Sequence, residues 1–323
     1  MSTVSVTSRK WLFLLLRIAV VVVIYYLIFR KVPLQNVTPL IAPALLGAIA
    51  IAVALNIAQA MLCTLRWRLV ARKAANVPSY FKSFAAYMEG LLFNQALPSF
   101  IGGDAVRVLR WRASQVSTTD AFISVLRDRL FGAIGAASFT LIACALLWQQ
   151  PIEHYKIVSL IILGSAVTFG CLALLSVSQW ATLSNMLLRF KRIHTISLAF
   201  VERPLARNTI SQSLIISLAA QLLPGISVYV LALALAIQIS LPLATAVTGA
   251  ILLISMIPIS LAGWGVREAS FLILLVPLGA ESEKVLVLGI CFGLAGLFSA
   301  LLGGISIMLG LTNPAPTVIQ THH

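Results

Sequence analysis

The chain has 323 residues, of which 60% are hydrophobic and only 10% charged, whereas soluble domains carry about 25% charged residues. With a mean hydropathy of +1.02, that composition excludes an ordinary water-soluble fold and leaves one compact polytopic membrane domain, residues 1–323, as the expectation. The formal net charge of +14 falls in short loops between apolar segments and not on an aromatic-laced basic surface, which argues against a nucleic-acid partner and for membrane orientation.

In chain order, the first apolar run covers about 11–29, between Arg9 and Lys10 before it and Arg30 and Lys31 after it. It lacks a small-residue cleavage pattern and reads as a retained first span. Further full spans are predicted at about 40–63, 121–148, 157–177, 209–237 and 285–311, six in all. Two other apolar regions, about 83–112 and 243–280, are interrupted by Pro and Gly near their middles. Their arms are too short to cross about 30 Å of hydrocarbon comfortably, so each predicts a re-entrant helical hairpin. Residues 178–208 set Arg189, Lys191, Arg192, Arg203 and Arg207 among apolar residues and read as a basic amphipathic cytoplasmic connector. A charge run that only fixes topology and a surface that recruits lipid headgroups are both open readings of it.

The expected fold class is therefore an all-α polytopic membrane protein with six full transmembrane helices and two re-entrant hairpins. With the N-terminus cytoplasmic, fourteen Lys and Arg residues fall inside and only Arg30, Lys31, Lys156 and Lys284 outside, which is the asymmetry of the positive-inside rule. The C-terminus then also lies inside. In this layout hairpin one enters from the cytoplasm and hairpin two from outside, so the halves 11–148 and 157–311 form an inverted repeat. Their central motifs stand 160 positions apart, with Pro98, Gly103 and Arg107 answering Pro258, Gly263 and Arg267. Inverted repeats with broken helices are an architecture of secondary transporters.

The first constellation contains Asn94, Pro98, Ser99, Gly102, Gly103, Asp104 and Arg107. Pro98 removes an amide donor, the paired glycines permit a tight path, and Asp104 suits the cap of a second arm running to about Arg112. A helix that starts inside the membrane points free amides and a positive dipole end at the interior, where they and Arg107 suit a phosphate. The second constellation repeats the break with Gly263, Gly265 and Arg267 and adds Glu268. An arginine at the bilayer centre costs about 3 kcal/mol on insertion scales, so both arginines call for partners. Asp104 is within reach of Arg107 at i,i+3, and Glu268 is expected to neutralise an arginine from the other half. Ions that only lock the hairpins together are the alternative to contact with a substrate headgroup. Glu89, Arg127, Asp128 and Arg129 are candidates for a coupling or entrance role; Glu89 is expected to face the cavity, with an inert protonated carboxyl, a partner for an arginine and a proton-coupling group all open for it, while interfacial snorkelling and local pairing stay open for the other three.

Catalysis is not expected. His154 and His194 are isolated, no helix carries a His/Glu ligand pair, and no nucleophile elbow or phosphate-binding loop is present. Cys63, Cys144, Cys171 and Cys291 lie singly in apolar runs, so neither a metal nor another cofactor is expected.

At these residues the chain resembles a flippase-like family that includes the transmembrane domain of lysylphosphatidylglycerol synthase/flippase proteins and stand-alone bacterial and archaeal relatives. The resemblance rests on Arg66 and Trp67, Asn94, Leu97 to Ser99, Gly102 to Asp104 with Arg107, Asp128 and Arg129, and Gly263 and Gly265 with Arg267 and Glu268. It covers nearly the whole chain. It implies movement of a phospholipid or lipid-linked (polyprenyl-phosphate or aminoacyl) headgroup between leaflets of a bacterial or archaeal cytoplasmic membrane. The sequence carries no synthase domain, which removes aminoacyl transfer from the expectation. A lipid-binding accessory subunit of a glycosyltransferase, and a membrane-embedded transferase using Asp104 and Glu268 as acid and base, are the other function classes. A lipid-modifying synthase or glycosyltransferase and a second copy of the chain are open as protein partners.

Overall fold

The computed structural model describes residues 19, 21–30, 32, 43–72, 74–96, 100–148, 154–175, 204–255, 260 and 262–312. Pro98, Ser99, Pro258 and the connector through residue 203 lie outside them. Among the described residues every regular element is a helix. In chain order they are α1 (Val21–Arg30), α2 (Pro43–Val70), α3 (Tyr80–Ala96), α4 (Phe100–Ala113), α5 (Thr118–Leu147), α6 (His154–Leu175), α7 (Arg207–Ala234), α8 (Leu241–Ser255), α9 (Val266–Leu275) and α10 (Ser282–Met308). A single 3₁₀ turn at Val276–Leu278 follows α9.

Four of these, α2, α5, α7 and α10, are 27 to 30 residues long and apolar enough to cross a membrane. At 1.5 Å per residue each exceeds the roughly 30 Å of hydrocarbon. The 17, 14, 15 and 10 residues of α3, α4, α8 and α9 do not. Exposed Leu46, Phe122, Ile142, Phe169, Ile215 and Phe298 give the long helices and α6 an apolar outer face, which suits lipid as solvent.

Among the described residues the most extensive helix contact is between α2 and α7. The long helix α5 packs on the short helix α8, and the long helix α10 on the short helix α3. Small residues permit this: Gly249 of α8 sits against Phe139 of α5, and Gly303 of α10 against the backbone of Met88 and Glu89 in α3. The core lies between α2, α5, α7, α8 and α10, with Ala52, Leu147, Leu231, Val247, Ile251 and Leu288 fully buried.

The two short-helix pairs are built differently. In the first, α3 and α4 cross at Gly90 and Gly103, where a Cβ on Gly103 would run into the Gly90 carbonyl. Asn94 Oδ1 accepts from the Gly103 amide at 3.0 Å. The helix resumes at Phe100, so Asp104 lies inside α4 and not at its cap; its carboxylate meets guanidinium groups instead. In the second, Ala262, Gly263 and Gly265 have φ of 50°, 81° and 84°, a left-handed turn that glycine adopts without a Cβ penalty. Glu268 then reaches back, its Oε2 accepting from the Gly265 amide at 2.6 Å, and closes the first turn of α9.

Candidate functional site

A cavity of about 300 Å³ is bounded by α2, α3, α4, α5, α7, α8, α9, α10 and the turn at Ala262 and Gly263. Its charged wall begins at Asp128, 1% exposed on α5. Arg66 Nε donates to Asp128 Oδ1 at 2.8 Å, and an Arg107 terminal nitrogen donates to Oδ2 at 2.7 Å. Arg107 also reaches Asp104 Oδ1 at 3.4 Å, and Arg129 Nε holds the same carboxylate at 2.8 Å. Three helices, α2, α4 and α5, are tied through this chain of five ions.

Aromatic rings complete the seat of Arg107. Its guanidinium lies 4.1 Å from the Trp67 ring centroid and 4.5 Å from that of Tyr87, contacts worth about 2 kcal/mol when desolvated. Trp111 stacks on Trp67 at 4.0 Å, and Trp67 Nε1 donates to Ser124 Oγ. Arg107 Nε is buried with no acceptor among the described residues. That leaves one donor of the fork unpaired among these residues.

Arg267 supplies the opposite wall. Its Nε donates to Glu268 Oε1 at 2.9 Å, its guanidinium lies 4.6 Å from the Trp264 ring centroid, and Gly293 of α10 leaves the room it occupies. Glu268 therefore pairs with its own neighbour and not with an arginine of the other half: capping α9 turns its carboxylate back beside Arg267. Arg66, Arg107, Arg129 and Arg267 line the cavity, against Asp128 as the acidic residue on its surface. Counting Asp104 and Glu268 behind it, four positive groups face three negative ones, a net of +1.

Of the residues singled out from sequence, Arg107, Asp128, Arg129, Gly263 and Arg267 line this cavity. Asn94, Gly103, Asp104, Gly265 and Glu268 support it through the bonds described, and Gly102 lies in the first turn of α4. Arg127 points to a separate small cleft with Val70 and Asp120. Glu89 does not face the cavity: it is fully buried, and Arg110 Nε, Ser306 Oγ and Thr312 Oγ1 donate to it at 2.6, 2.8 and 2.8 Å. The close approach of α10 at Gly303 brings those hydroxyls to it.

The sequence reading named Arg66 for the resemblance but missed Asn56 and Gln59, and with them the polar stripe of α2. Asn56, Gln59, Cys63 and Arg66 all line the cavity and stand at i, i+3, i+7 and i+10, one helical face. Gln221 of α7 was missed too; it is 6% exposed, and its Nε2 has no acceptor among the described residues. Polar residues recurring on one face of an apolar span were the available signal.

The fold and site define a polytopic helical membrane protein with an arginine-rich interior cavity. The chain belongs to the family described as the lysylphosphatidylglycerol synthase TM region, whose model matches residues 14–304. No curated protein and no solved structure matches it.

Proposed function

We propose that the protein is a lipid translocase, moving a phospholipid or lipid-linked headgroup between leaflets while the acyl or isoprenoid chains stay in the bilayer. The observation that carries this reading is the net positive cavity, which Arg66, Arg107 and Arg129 of the first half line together with Arg267 of the second. A buried guanidinium with a donor unpaired among the described residues suits a phosphate oxygen. Membership of a family named for a lipid-modifying enzyme's membrane region supports a lipid cargo.

In this reading α3 with α4, and α8 with α9, are re-entrant hairpins entering from opposite faces, and the halves are an inverted repeat. Their short lengths and the reciprocal packing of α5 on α8 and α10 on α3 support it. Alternating access would follow from rocking one half against the other around a fixed site. The membrane is the cytoplasmic membrane, with both termini on the basic, cytoplasmic side.

The test is reconstitution in liposomes with fluorescently labelled lipids, scored by protection from an impermeant quencher. Wild type should move label between leaflets, and Arg107→Ala and Arg267→Ala should each reduce the rate by about tenfold or more, the loss of one charge-assisted hydrogen bond. Equal rates in all three would remove the arginine site. Absence of transport in wild type together with copurification of a glycosyltransferase would support the accessory-subunit role instead.

A further inference from the structure

We propose that the cavity selects an anionic phosphodiester lipid whose head is uncharged and hydroxyl-bearing, and rejects a cationic aminoacyl head. This rests on the translocase reading of the same cavity and specifies its cargo.

The lining changes character along α2. Along α2, Arg66 and the ions it holds stand at one level, and Gln59 and Asn56 lie seven and ten residues earlier on the same face, about 10 to 15 Å along the axis. Gln221 of α7 also lines the wall, with its buried Nε2 unused among the described residues. Asn and Gln each present an acceptor oxygen and two donor hydrogens. Three carboxamides therefore offer a hydroxyl both of the bonds it makes, without adding charge. A phosphate held by the arginines would place a glycerol or sugar substituent toward them.

A lysyl or other ammonium head finds no comparable place. Asp128 is the carboxylate on the cavity surface, and Arg66 and Arg107 already occupy its two oxygens. Asp104 and Glu268 are held by arginines behind the wall. The Tyr87 ring carries Arg107 and so is not open to an ammonium group. Four guanidinium groups lining the space would repel one. The volume, about 300 Å³, is at the lower end for small-molecule sites and accommodates a headgroup, with the chains left outside.

The experiment measures lipid retained by the purified full chain in native mass spectrometry, with thermal stability in the same lipids as a second readout. The probes are phosphatidylglycerol, phosphatidic acid and lysyl-phosphatidylglycerol, with free glycerol phosphate as the soluble arm. Wild type should retain phosphatidylglycerol about tenfold better than phosphatidic acid, and lysyl-phosphatidylglycerol least. Gln221→Leu and Asn56→Leu should erase the preference for phosphatidylglycerol over phosphatidic acid while both lipids still bind. Gln221→Glu, which keeps the size and adds a carboxylate, should shift the preference toward lysyl-phosphatidylglycerol. Equal or tighter retention of the lysyl lipid by wild type would overturn the proposal, as would unchanged discrimination in the two leucine variants. Stabilisation by glycerol phosphate without retention of phosphatidylglycerol would overturn the lipid as its source. Headgroup discrimination without transport would sink the translocase reading alone, and transport without discrimination would sink this one alone.

Discussion

Asp128 is where three helices are held to one another, because each of its oxygens accepts from a different arginine and neither arginine is more than 4% exposed. Removing one partner of a buried ion pair leaves an uncompensated charge and costs about 3 to 5 kcal/mol. Asp128→Ala should therefore lower the thermal unfolding midpoint in detergent more than any single arginine substitution in the network, since it strands two guanidinium groups at once. Arg107→Lys tests a different property. It keeps the charge but loses the planar fork between Trp67 and Tyr87, so stability should fall by only about 1 kcal/mol while lipid translocation falls by about tenfold; a loss of translocation no larger than the loss of stability predicts would make Arg107 a structural ion alone.

At the scale of elements, the α3 and α4 pair depends on two glycines. A methyl on Gly103 would collide with the Gly90 carbonyl and the Asn94 side chain. These neighbours are a backbone atom and a side chain already engaged in a bond, so relief requires the helices to separate. Gly103→Ala should cost about 1 to 3 kcal/mol and displace Arg107, one turn along, from its rings, which the fluorescence of Trp67 and Trp111 would report. The latch at Glu89 joins this pair to the end of α10 through Ser306 and Thr312. Glu89→Gln keeps the shape but leaves Arg110 without its carboxylate, and limited proteolysis after α10 should accelerate relative to wild type. Unchanged cleavage would mean that the latch does not hold the end of that helix. The breaks were legible in sequence because Gly and Pro interrupt apolar runs too short to recover a full span. The role of Asp104 was legible in part: its i,i+3 reach to Arg107 is realised, whereas the expected cap is not, and only the approach of α5 reveals Arg129 as its second partner. Glu89 was misplaced for the same reason, since its hydroxyl partners lie 217 and 223 residues away.

For the molecule as a whole, the long spans were readable from hydropathy alone, and the predicted 121–148, 209–237 and 285–311 fall within a few residues of α5, α7 and α10. The cavity was readable only in part. Arginines in apolar segments announce themselves by what their burial costs, whereas carboxamides such as Asn56, Gln59 and Gln221 cost less and pass for ordinary helix residues until α2 is seen against α7. The proposed inverted repeat makes the sharpest demand on the whole molecule. If the halves are inverted, the turn before α3 and the turn before α10 lie on opposite faces of the membrane, although each connects a long helix to a short one. The native cysteines among the described residues are all buried, which keeps background labelling low. Asn76→Cys, between α2 and α3, and Glu281→Cys, just before α10, carry the test. In right-side-out vesicles an impermeant maleimide should label position 281 directly and position 76 only after permeabilisation. Labelling of both from the same side would make the halves parallel, and a site that alternates between leaflets by exchange of equivalent hairpins would lose its structural basis.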